Sequence, residues 1–247
     1  METNFDLAGR VALITGGSRG IGRGIAVALA SAGAAVAVNF RSREDEAAQA
    51  VADIERVGGK GIAIRADVAV RSEVESMVDR VTAELGPIDV LVNNAGVAVI
   101  RGLDDITEED FDETLAINLK SAFLTIQAVA PSMRERGWGR IVNISSVAAR
   151  GAGSVGVHYN ASKAGLEGLT RGYAARLAAD GITVNAIAPG LIDTEMAAPL
   201  KEAGVADRIP VGRIGTPDDI GRAVLLTISN GFLTGQTIAV NGGGSFL

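Results

Sequence analysis

The chain has 247 residues, no cysteine, 32 glycines and a formal net charge of −6. The lack of cysteine excludes disulfides and thiolate metal sites, and the negative charge argues against a nucleic-acid partner, which would need clustered Lys and Arg. No apolar run approaches the roughly 20 residues of a membrane span, and the amino terminus lacks the apolar stretch of a signal peptide, so we expect a cytoplasmic protein with no membrane partner.

Apolar, strand-like runs alternate along the chain with helix-like stretches. Strands are predicted at residues 10–15, 35–40, 61–66, 88–93, 139–145, 182–188 and 237–241. Helices are predicted at residues 20–32, 43–57, 72–85, 108–135, 159–179 and 217–228. This alternation predicts an α/β fold, a Rossmann-type doubly wound parallel sheet of about seven strands with helices on both faces. A single domain should span residues 1–247, since no linker or charge block divides the chain.

Two segments interrupt the alternation of strands and helices. Residues 147–158 and 191–216 are rich in Gly, Ala and Pro, and both adjoin the predicted carboxyl ends of strands. Ligands of open parallel sheets bind at that edge. We therefore expect substrate-facing loops, the second being a mobile lid with a short helix near 195–203.

A glycine-rich turn follows the first predicted strand. Its residues are Gly16, Gly17, Ser18, Arg19, Gly20, Ile21 and Gly22, and a helix-like run comes next. Strand, glycine turn and helix form a cradle of backbone N–H groups for a pyrophosphate. The spacing differs from the general Gly-x-Gly-x-x-Gly fingerprint, so taken alone an ordinary glycine-rich turn remains an alternative.

Tyr159 and Lys163 lie one helical turn apart, so their side chains project from one face of the helix predicted there. A phenol has a free pKa of about 10, and a nearby ammonium should lower that pKa and make the hydroxyl a usable general acid or base. Ser146, thirteen residues upstream, could bond the same substrate oxygen. For the spacing alone, an exposed Tyr and an exposed Lys remain the alternative.

Taken together, five segments resemble the short-chain dehydrogenase/reductase family over nearly the whole chain. Thr15 through Gly22 resembles its cofactor turn, and the run Asn93-Asn94-Ala95-Gly96 its signature after the fourth strand. The matching catalytic tetrad is Asn118, Ser146, Tyr159 and Lys163. The remaining matches are Pro189-Gly190 with Thr194, and the carboxyl-terminal runs Gly235-Gln236 and Val240-Asn241-Gly242-Gly243.

The resemblance implies a catalytic role for each tetrad residue. Tyr159 would give a proton to a ketone oxygen while NADPH delivers a hydride to the carbonyl carbon. Lys163 would lower the Tyr159 pKa and bond the nicotinamide ribose, Ser146 would orient the reacting oxygen, and Asn118 would hold a water linked to Lys163. The implied cofactor contacts are Gly16, Ser18, Arg19, Gly20, Ile21, Gly22, Arg41, Ser42, Asp67, Val68, Asn94, Ala95, Gly96, Tyr159, Lys163, Pro189, Gly190, Ile192 and Thr194.

The end of the second predicted strand indicates which nicotinamide cofactor binds. Enzymes that choose NAD usually carry Asp or Glu there, but this chain has Phe40 followed by Arg41. A guanidinium can bind a 2′-phosphate, and Arg19 could hold it from the other side, so we predict NADP(H). Alternatively, Arg41 and Arg43 could pair with the acidic run 44–46. Asp67 would touch the adenine or be a plain turn residue.

Several polar residues have competing interpretations. Alternation at a strand end sends Ser145 and Ser146 to opposite faces, and the spacing to Tyr159 favours Ser146. His158, the only histidine, is interpreted as a non-catalytic loop residue because Tyr159 fills the acid role. Trp138 is assigned to surface or packing. No cluster shows metal-ligand spacing, so no metal site is predicted.

The subgroup that the chain resembles most is the 3-oxoacyl-[acyl-carrier-protein] reductases, which implies a ketone or acyl thioester substrate. Members that dock the carrier tend to have a basic residue where this chain has Asp180, so a smaller ketone, keto sugar or steroid remains an alternative. Arg171 and Arg176 could compensate. A non-catalytic NADPH sensor is a further alternative, and the intact tetrad argues against it.

The helices predicted at 108–135 and 159–179 carry apolar residues around much of their circumference. One face against a sheet does not require so much apolar surface. Family members mostly pair these helices across a two-fold axis, so we expect a homotetramer.

Overall fold

The computed structural model describes residues 6–202 and 209–246. It contains a seven-stranded parallel sheet in the order β3-β2-β1-β4-β5-β6-β7. The strands are β1 (Val11–Ile14), β2 (Ala35–Phe40), β3 (Gly61–Arg65), β4 (Val90–Asn93), β5 (Gly139–Ile144), β6 (Ile182–Pro189) and β7 (Thr237–Val240). All seven predicted strands are confirmed, within two residues at each end.

Helices connect the strands. They are α1 (Gly20–Ser31), α2 (Glu44–Arg56), α3 (Arg71–Glu84), α4 (Glu108–Leu115), α5 (Ser121–Glu135), α6 (Val157–Leu177), α7 (Ala198–Glu202) and α8 (Pro217–Ser229). Two of them begin with capping boxes, in which Thr107 and Thr216 exchange hydrogen bonds with Asp110 and Asp219. These reciprocal bonds satisfy backbone donors that a helix start otherwise leaves free.

The five inner strands of the sheet are buried on both faces, as expected for a parallel sheet between two layers of helices. One hydrophobic core joins it to α1, α2 and α8 through residues such as Ile25, Ile54 and Val224. A second core joins the opposite face to α3, α5 and α6 through residues such as Met77 and Ile126. The predicted fold class, a doubly wound α/β sheet, is therefore confirmed.

The long helix predicted at 108–135 is interrupted. A π-helical turn at Ala116–Lys120 separates α4 from α5. The next predicted helix begins two residues early, at Val157, so His158 lies in the first turn of α6 and not in a loop. The predicted lid carries a 3₁₀ turn at Glu195–Ala197 followed by α7. Residues 203–208 of that lid lie outside the described part of the chain.

The sheet order places a ligand crevice next to β1 and β4. The chain winds outward from β1 to β3 and then crosses back to β4, so the strand order reverses between β1 and β4. Within residues 6–202 and 209–246, no helix is long and apolar enough to cross a membrane, and no group of three or more His, Asp or Glu side chains could hold a metal ion.

Candidate active site

The glycine turn between β1 and α1 is closely packed against the end of β4. Gly16 has φ +59°, and a Cβ atom there would lie 2.9 Å from the Cα of Ala95. A Cβ on Gly22 would lie 2.4 Å from the Gly16 carbonyl oxygen. Both positions therefore require glycine, the first for its backbone conformation as well as its size.

Thr15 and Asn94 hold this turn in place. The Thr15 hydroxyl oxygen accepts hydrogen bonds from the backbone N–H groups of Asn94 and Ala95, both at 3.0 Å. The Asn94 side chain donates to the carbonyl oxygens of Thr15 and Gly16 at 3.0 and 2.9 Å. The Asn94 side chain thus stabilises the glycine turn. The bonds to the Thr15 hydroxyl hold the residues that follow β4 against the same turn.

The rest of the glycine turn divides between core and solvent. Ser18 is buried, and Ile21 packs its side chain against the core. Gly20 begins α1 with φ +52°. Arg19 precedes it with an extended backbone and an exposed guanidinium.

Ser146 and Tyr159 meet at the end of β5. Ser146 begins a 3₁₀ turn and accepts a hydrogen bond from the Ala148 N–H at 3.1 Å. The Ser146 hydroxyl lies near enough to the Tyr159 hydroxyl to lower the pKa of the phenol. The Ser145 hydroxyl turns the other way, toward the Lys163 carbonyl and Glu167. The preference for Ser146 agrees with this arrangement.

Burial shifts the pKa values of the two titrating groups of the tetrad, Lys163 and Tyr159. The Lys163 side chain is buried and donates to the Ile144 carbonyl oxygen at 2.8 Å, and burial lowers its pKa to about 8. Burial also raises the pKa of the Tyr159 phenol, and the neighbouring Ser146 hydroxyl offsets this only in part. The expected lowering of the Tyr159 pKa is therefore wrong for this protein structure. The Lys163 ammonium lies 5.7 Å from the phenol ring centroid, and desolvation is the larger effect.

Asn118 lies in the π-helical turn, a feature that recurs at functional sites. Its side-chain amide donates to the Val97 carbonyl at 3.0 Å and to the Ser162 hydroxyl at 3.1 Å, and its oxygen accepts from the Val97 N–H at 2.8 Å. These bonds occupy both amide hydrogens. The predicted water would therefore have to be held by another atom of Asn118, such as its backbone carbonyl oxygen.

Gly96 connects the tetrad to the cofactor turn. A Cβ on Gly96 would lie 3.3 Å from the Asn118 side-chain oxygen and 3.7 Å from the Lys163 nitrogen. Its neighbour Ala95 touches the glycine turn, as described above. The residues just after β4 therefore lie between the glycine turn and Lys163, whose nitrogen is 5.7 Å from the centroid of the Tyr159 ring.

Three arginines surround the outer end of the proposed cofactor cleft. Arg41 is exposed and pairs only loosely with Asp67, at 3.9 Å. Arg19 and Arg43 both pair with Glu195, and Arg43 grips that carboxylate with two nitrogens at 3.1 and 3.2 Å. The alternative pairing considered for Arg43 is also present, since it bonds Glu46 at 2.9 Å.

The other predicted adenosine contacts lie near these arginines. Ser42 is exposed in the loop after β2. Asp67 accepts a hydrogen bond from the Ala69 N–H at 2.9 Å. This bond is typical of a turn residue, the alternative to an adenine contact that the sequence left open for Asp67. Val68 is buried in the core, so its side chain contributes packing.

The lid residues lie across the carboxyl ends of β6 and β1. Pro189 ends β6, and a Cβ on Gly190 would lie 2.8 Å from the Cβ of Asn241. The Ile192 side chain is buried in the core, so any cofactor contact would have to use its backbone. The Thr194 methyl group lies 3.2 Å from the position of a Cβ on Gly20, which places the lid directly against the glycine turn.

Sequence reasoning missed two features of the site. Glu195 was not singled out, and only its position next to Thr194 could have drawn attention to it. The ion pair between the buried Glu167 and the exposed Arg150, joined at 2.8 Å, was also missed. His158 is fully buried and lies 3.1 Å from the Val99 carbonyl oxygen, so the non-catalytic interpretation fits its position.

Comparison with known proteins identifies the family. The sequence model of the family described as short chain dehydrogenase matches residues 10–204. The chain belongs to the short-chain dehydrogenase family. The resemblance stated from the motifs is confirmed, and the chain is an oxidoreductase of a family that uses nicotinamide cofactors.

Relatives cover nearly the whole length of the chain. An acetoacetyl-CoA reductase of Rhizobium meliloti is 44% identical over 243 residues, which cover 96% of this chain and 99% of that protein. A 3-oxoacyl-[acyl-carrier-protein] reductase of Staphylococcus epidermidis is 41% identical over 237 residues, covering 94% and 97%. The crystal structure of a blue fluorescent protein from a metagenomic library, in complex with NADPH, is 40% identical with a TM-score of 0.90, covering 98% and 100%.

Proposed function

We propose that this protein is an NADPH-dependent carbonyl reductase that resembles the 3-oxoacyl-[acyl-carrier-protein] reductases. The observation that carries the proposal is the placement of Lys163, Tyr159 and Ser146 next to the residues that pack against the glycine turn. A phenol beside a second hydroxyl, next to a phosphate cradle, is suited to protonating an oxygen as a carbonyl is reduced.

The residues of the cleft fit a dinucleotide with a 2′-phosphate. The glycine turn and the start of α1 would hold the pyrophosphate, the backbone of residues 94–96 would line its edge, and Lys163 would bond the nicotinamide ribose. Arg19, Arg41 and Arg43 present guanidinium donors where NAD-dependent enzymes place a carboxylate. When bound, NADPH would supply the hydride. A structural neighbour is a complex with NADPH.

The protein's own residues would supply the proton that the carbonyl oxygen takes up during reduction. Burial raises the pKa of Tyr159, so the phenol keeps its proton near neutral pH and can donate it to a carbonyl oxygen. Ser146 would share that oxygen through its hydroxyl. Lys163, with a pKa of about 8, remains mostly protonated at pH 7 and would stabilise the phenolate left behind.

Two relatives carry names that point to 3-oxoacyl thioesters as substrates. Asp180, the departure noted in the sequence, forms an ion pair with Arg134 of α5 at 2.7 Å. Its negative charge is therefore partly compensated where an acidic carrier protein would approach. Arg171 and Arg176 lie five residues apart on α6, about 140° around the helix, so they cannot both join that surface.

A substrate panel tests the proposal. Consumption of NADPH and of NADH would be followed with acetoacetyl-carrier protein, acetoacetyl-CoA, a short thioester mimic, cyclic ketones, keto sugars and steroids. We expect turnover with NADPH and the acetoacetyl thioesters. Turnover only with a small ketone, sugar or steroid would favour the alternative dehydrogenase function, and binding of NADPH with no turnover on any carbonyl would favour a sensor.

We further propose a cytoplasmic homotetramer. Leu226, Phe232 and Phe246 expose 62%, 99% and 93% of their surface, which is unusual for large apolar side chains and indicates a contact with another subunit. Light scattering at micromolar concentration should give four chains per particle, and a monomer would contradict this.

A further inference from the structure

We propose that Glu195 is a specificity-determining residue that occupies the binding place of the cofactor's 2′-phosphate, and that Arg43 is a ligand of that phosphate beside Arg19. Glu195 then competes with the phosphomonoester and ties the lid to the cofactor cleft until the phosphate displaces it. This inference rests on the proposed use of NADP(H).

The geometry of Glu195 is that of a bound anion. Its two carboxylate oxygens take two nearly parallel bonds from Arg43, at 3.1 and 3.2 Å, and a third from Arg19. The two arginines come from different loops, the glycine turn and the loop after β2, while Glu195 comes from the lid. Three guanidinium donors converging on one carboxylate match the donor set that a phosphate needs.

Charge favours exchange of the carboxylate for a phosphate. The only other carboxylate bonded to Arg43 in the described part of the chain is Glu46, and that residue also lies 3.8 Å from Arg19. A phosphomonoester carries nearly two negative charges and offers three oxygens, so it can bind both arginines more strongly than one carboxylate. The arginines lower the pKa of Glu195, so it competes in its charged form.

The base of the lid is fixed, so release of Glu195 would loosen only the 3₁₀ turn that begins with it, Glu195–Ala197. The Asp193 N–H donates to the Gly215 carbonyl at 2.8 Å, and the Gly215 N–H donates to the Leu191 carbonyl at 3.1 Å. Thr194 rests against Gly20 of the glycine turn. Glu195 is the next residue, and the contact between its side chain and the arginines holds the start of the 3₁₀ turn over the cleft.

Calorimetric titration with 2′,5′-ADP and 5′-AMP tests the competition directly. The first probe carries the 2′-phosphate, the second lacks it, and neither carries a nicotinamide. Because Glu195→Gln removes the competing charge, 2′,5′-ADP should bind about fivefold to tenfold more tightly, with 5′-AMP unchanged. Asp193→Asn is the matched control: it removes a lid carboxylate that pairs with Lys201 at 2.6 Å, and it should leave both affinities unchanged.

Two further measurements complete the test. Arg43→Gln should weaken 2′,5′-ADP by about tenfold and leave 5′-AMP unchanged, as expected for a lost charge-assisted bond. In the wild type, 2′,5′-ADP should speed amide hydrogen exchange in residues 195–197, and in Glu195→Gln that exchange should already be fast.

The outcomes separate this inference from the proposed function. If the wild type binds 2′,5′-ADP no better than 5′-AMP, the NADP(H) assignment fails and this inference fails with it. If the wild type prefers 2′,5′-ADP but Glu195→Gln changes its affinity by less than about twofold, or changes 5′-AMP equally, only the competition is overturned. An unchanged exchange rate in the lid on adding 2′,5′-ADP would overturn the tie between Glu195 and the lid.

Discussion

Arginine–carboxylate clusters lie at both ends of the sheet, and they differ in depth. At the amino end, Arg10 pairs with Asp89 at 3.1 Å, and the Asp89 side chain is only 7% exposed. At the carboxyl end, Arg43 pairs with Glu195 at the same distance, but the Glu195 side chain is 62% exposed. The same arginine–carboxylate pair therefore has a buried carboxylate at the amino end and an exposed carboxylate beside the cleft at the carboxyl end.

The amino-end cluster is closed on all sides. Asp89 also accepts a hydrogen bond from the Val11 N–H at 3.0 Å and an ion pair from Arg136 at 3.4 Å. Trp138 lies under the guanidinium of Arg10, whose central carbon is 3.9 Å from the ring centroid. Removal of the Asp89 charge would weaken the bond to the buried Val11 N–H. Removal of the Glu195 charge would leave Arg19 and Arg43 hydrated by solvent.

This difference teaches which charged clusters can be functional. A buried carboxylate with several donors is costly to disturb and contributes stability. An exposed carboxylate contributes little stability and can be replaced by another anion. The following predictions test this division, with chemistry at the carboxyl end and stability at the amino end.

Tyr159→Phe should have the largest effect and should leave stability intact. Loss of the proton donor is expected to lower kcat by about 10²–10⁴-fold with binding of NADPH nearly unchanged, measured on the best substrate of the panel. Tyr173→Phe is the matched control, because Tyr173 is the other tyrosine and its hydroxyl accepts a hydrogen bond from the Gln127 side chain at 2.7 Å, away from the tetrad. Wild-type turnover in Tyr159→Phe would refute the catalytic assignment.

Asp89→Asn should lower the free energy of unfolding by about 2 kcal/mol, because it removes the charge of a buried side chain that pairs with Arg10 and Arg136. Urea denaturation measures this, and binding of 2′,5′-ADP by the folded variant should not change. Asp180→Asn breaks a more exposed ion pair with Arg134 and should cost less than about 1 kcal/mol. Equal losses in the two variants would remove the contrast on which the comparison depends.

Lys163 should make stability rise with pH. Its pKa is about 8 in the folded chain, below its value of about 10.4 when unfolded, so between these values the unfolded chain binds more protons. The free energy of unfolding should therefore rise by about 2 kcal/mol from pH 8 to pH 10, relative to Lys163→Met. The raised pKa of Tyr159 acts in the opposite direction only above about pH 10.

Urea denaturation across that pH range measures the difference in slope. Lys120→Met, at an exposed lysine of the π-helical turn, should keep the wild-type slope. Parallel curves for the wild type and Lys163→Met would show that burial of Lys163 does not shift its pKa as described.

Glu195→Gln should have a small effect on stability, in contrast to its effect on the affinity for 2′,5′-ADP. Because its ion pairs are exposed, the thermal midpoint without nucleotide should fall by only about 2–5 °C in calorimetry, which matches a fivefold to tenfold competition. With saturating 2′,5′-ADP the variant should gain more stability than the wild type, because tighter binding raises the midpoint. A large loss of stability without nucleotide would place Glu195 among the framework residues.

Most of the fold could be predicted from the sequence because its signals are local. Apolar runs of four to eight residues identify the buried strands, and Thr107 and Thr216 mark helix starts through their capping boxes. The π-helical turn could not be predicted, since residues 116–120 contain no Gly or Pro to mark a break in the helix.

The site divides in the same way. The order and spacing of the tetrad were visible, and the structure brings Ser146, Tyr159 and Lys163 together. The direction of the Tyr159 pKa was predicted wrongly, because sequence shows the neighbouring ammonium but not the depth of burial. The pairing of Arg43 with Glu195 joins residues 152 positions apart, so local sequence could not show it.

The π-helical turn at residues 116–120 also determines in which direction the side chains of the following helix, α5, point. One additional residue in a turn offsets the helix by about 100°, relative to an uninterrupted α-helix. Ile126 and Met133 of α5 consequently face the sheet while Asn118 still points at Val97 and Ser162. A single-residue deletion here would therefore misalign either the core or the tetrad.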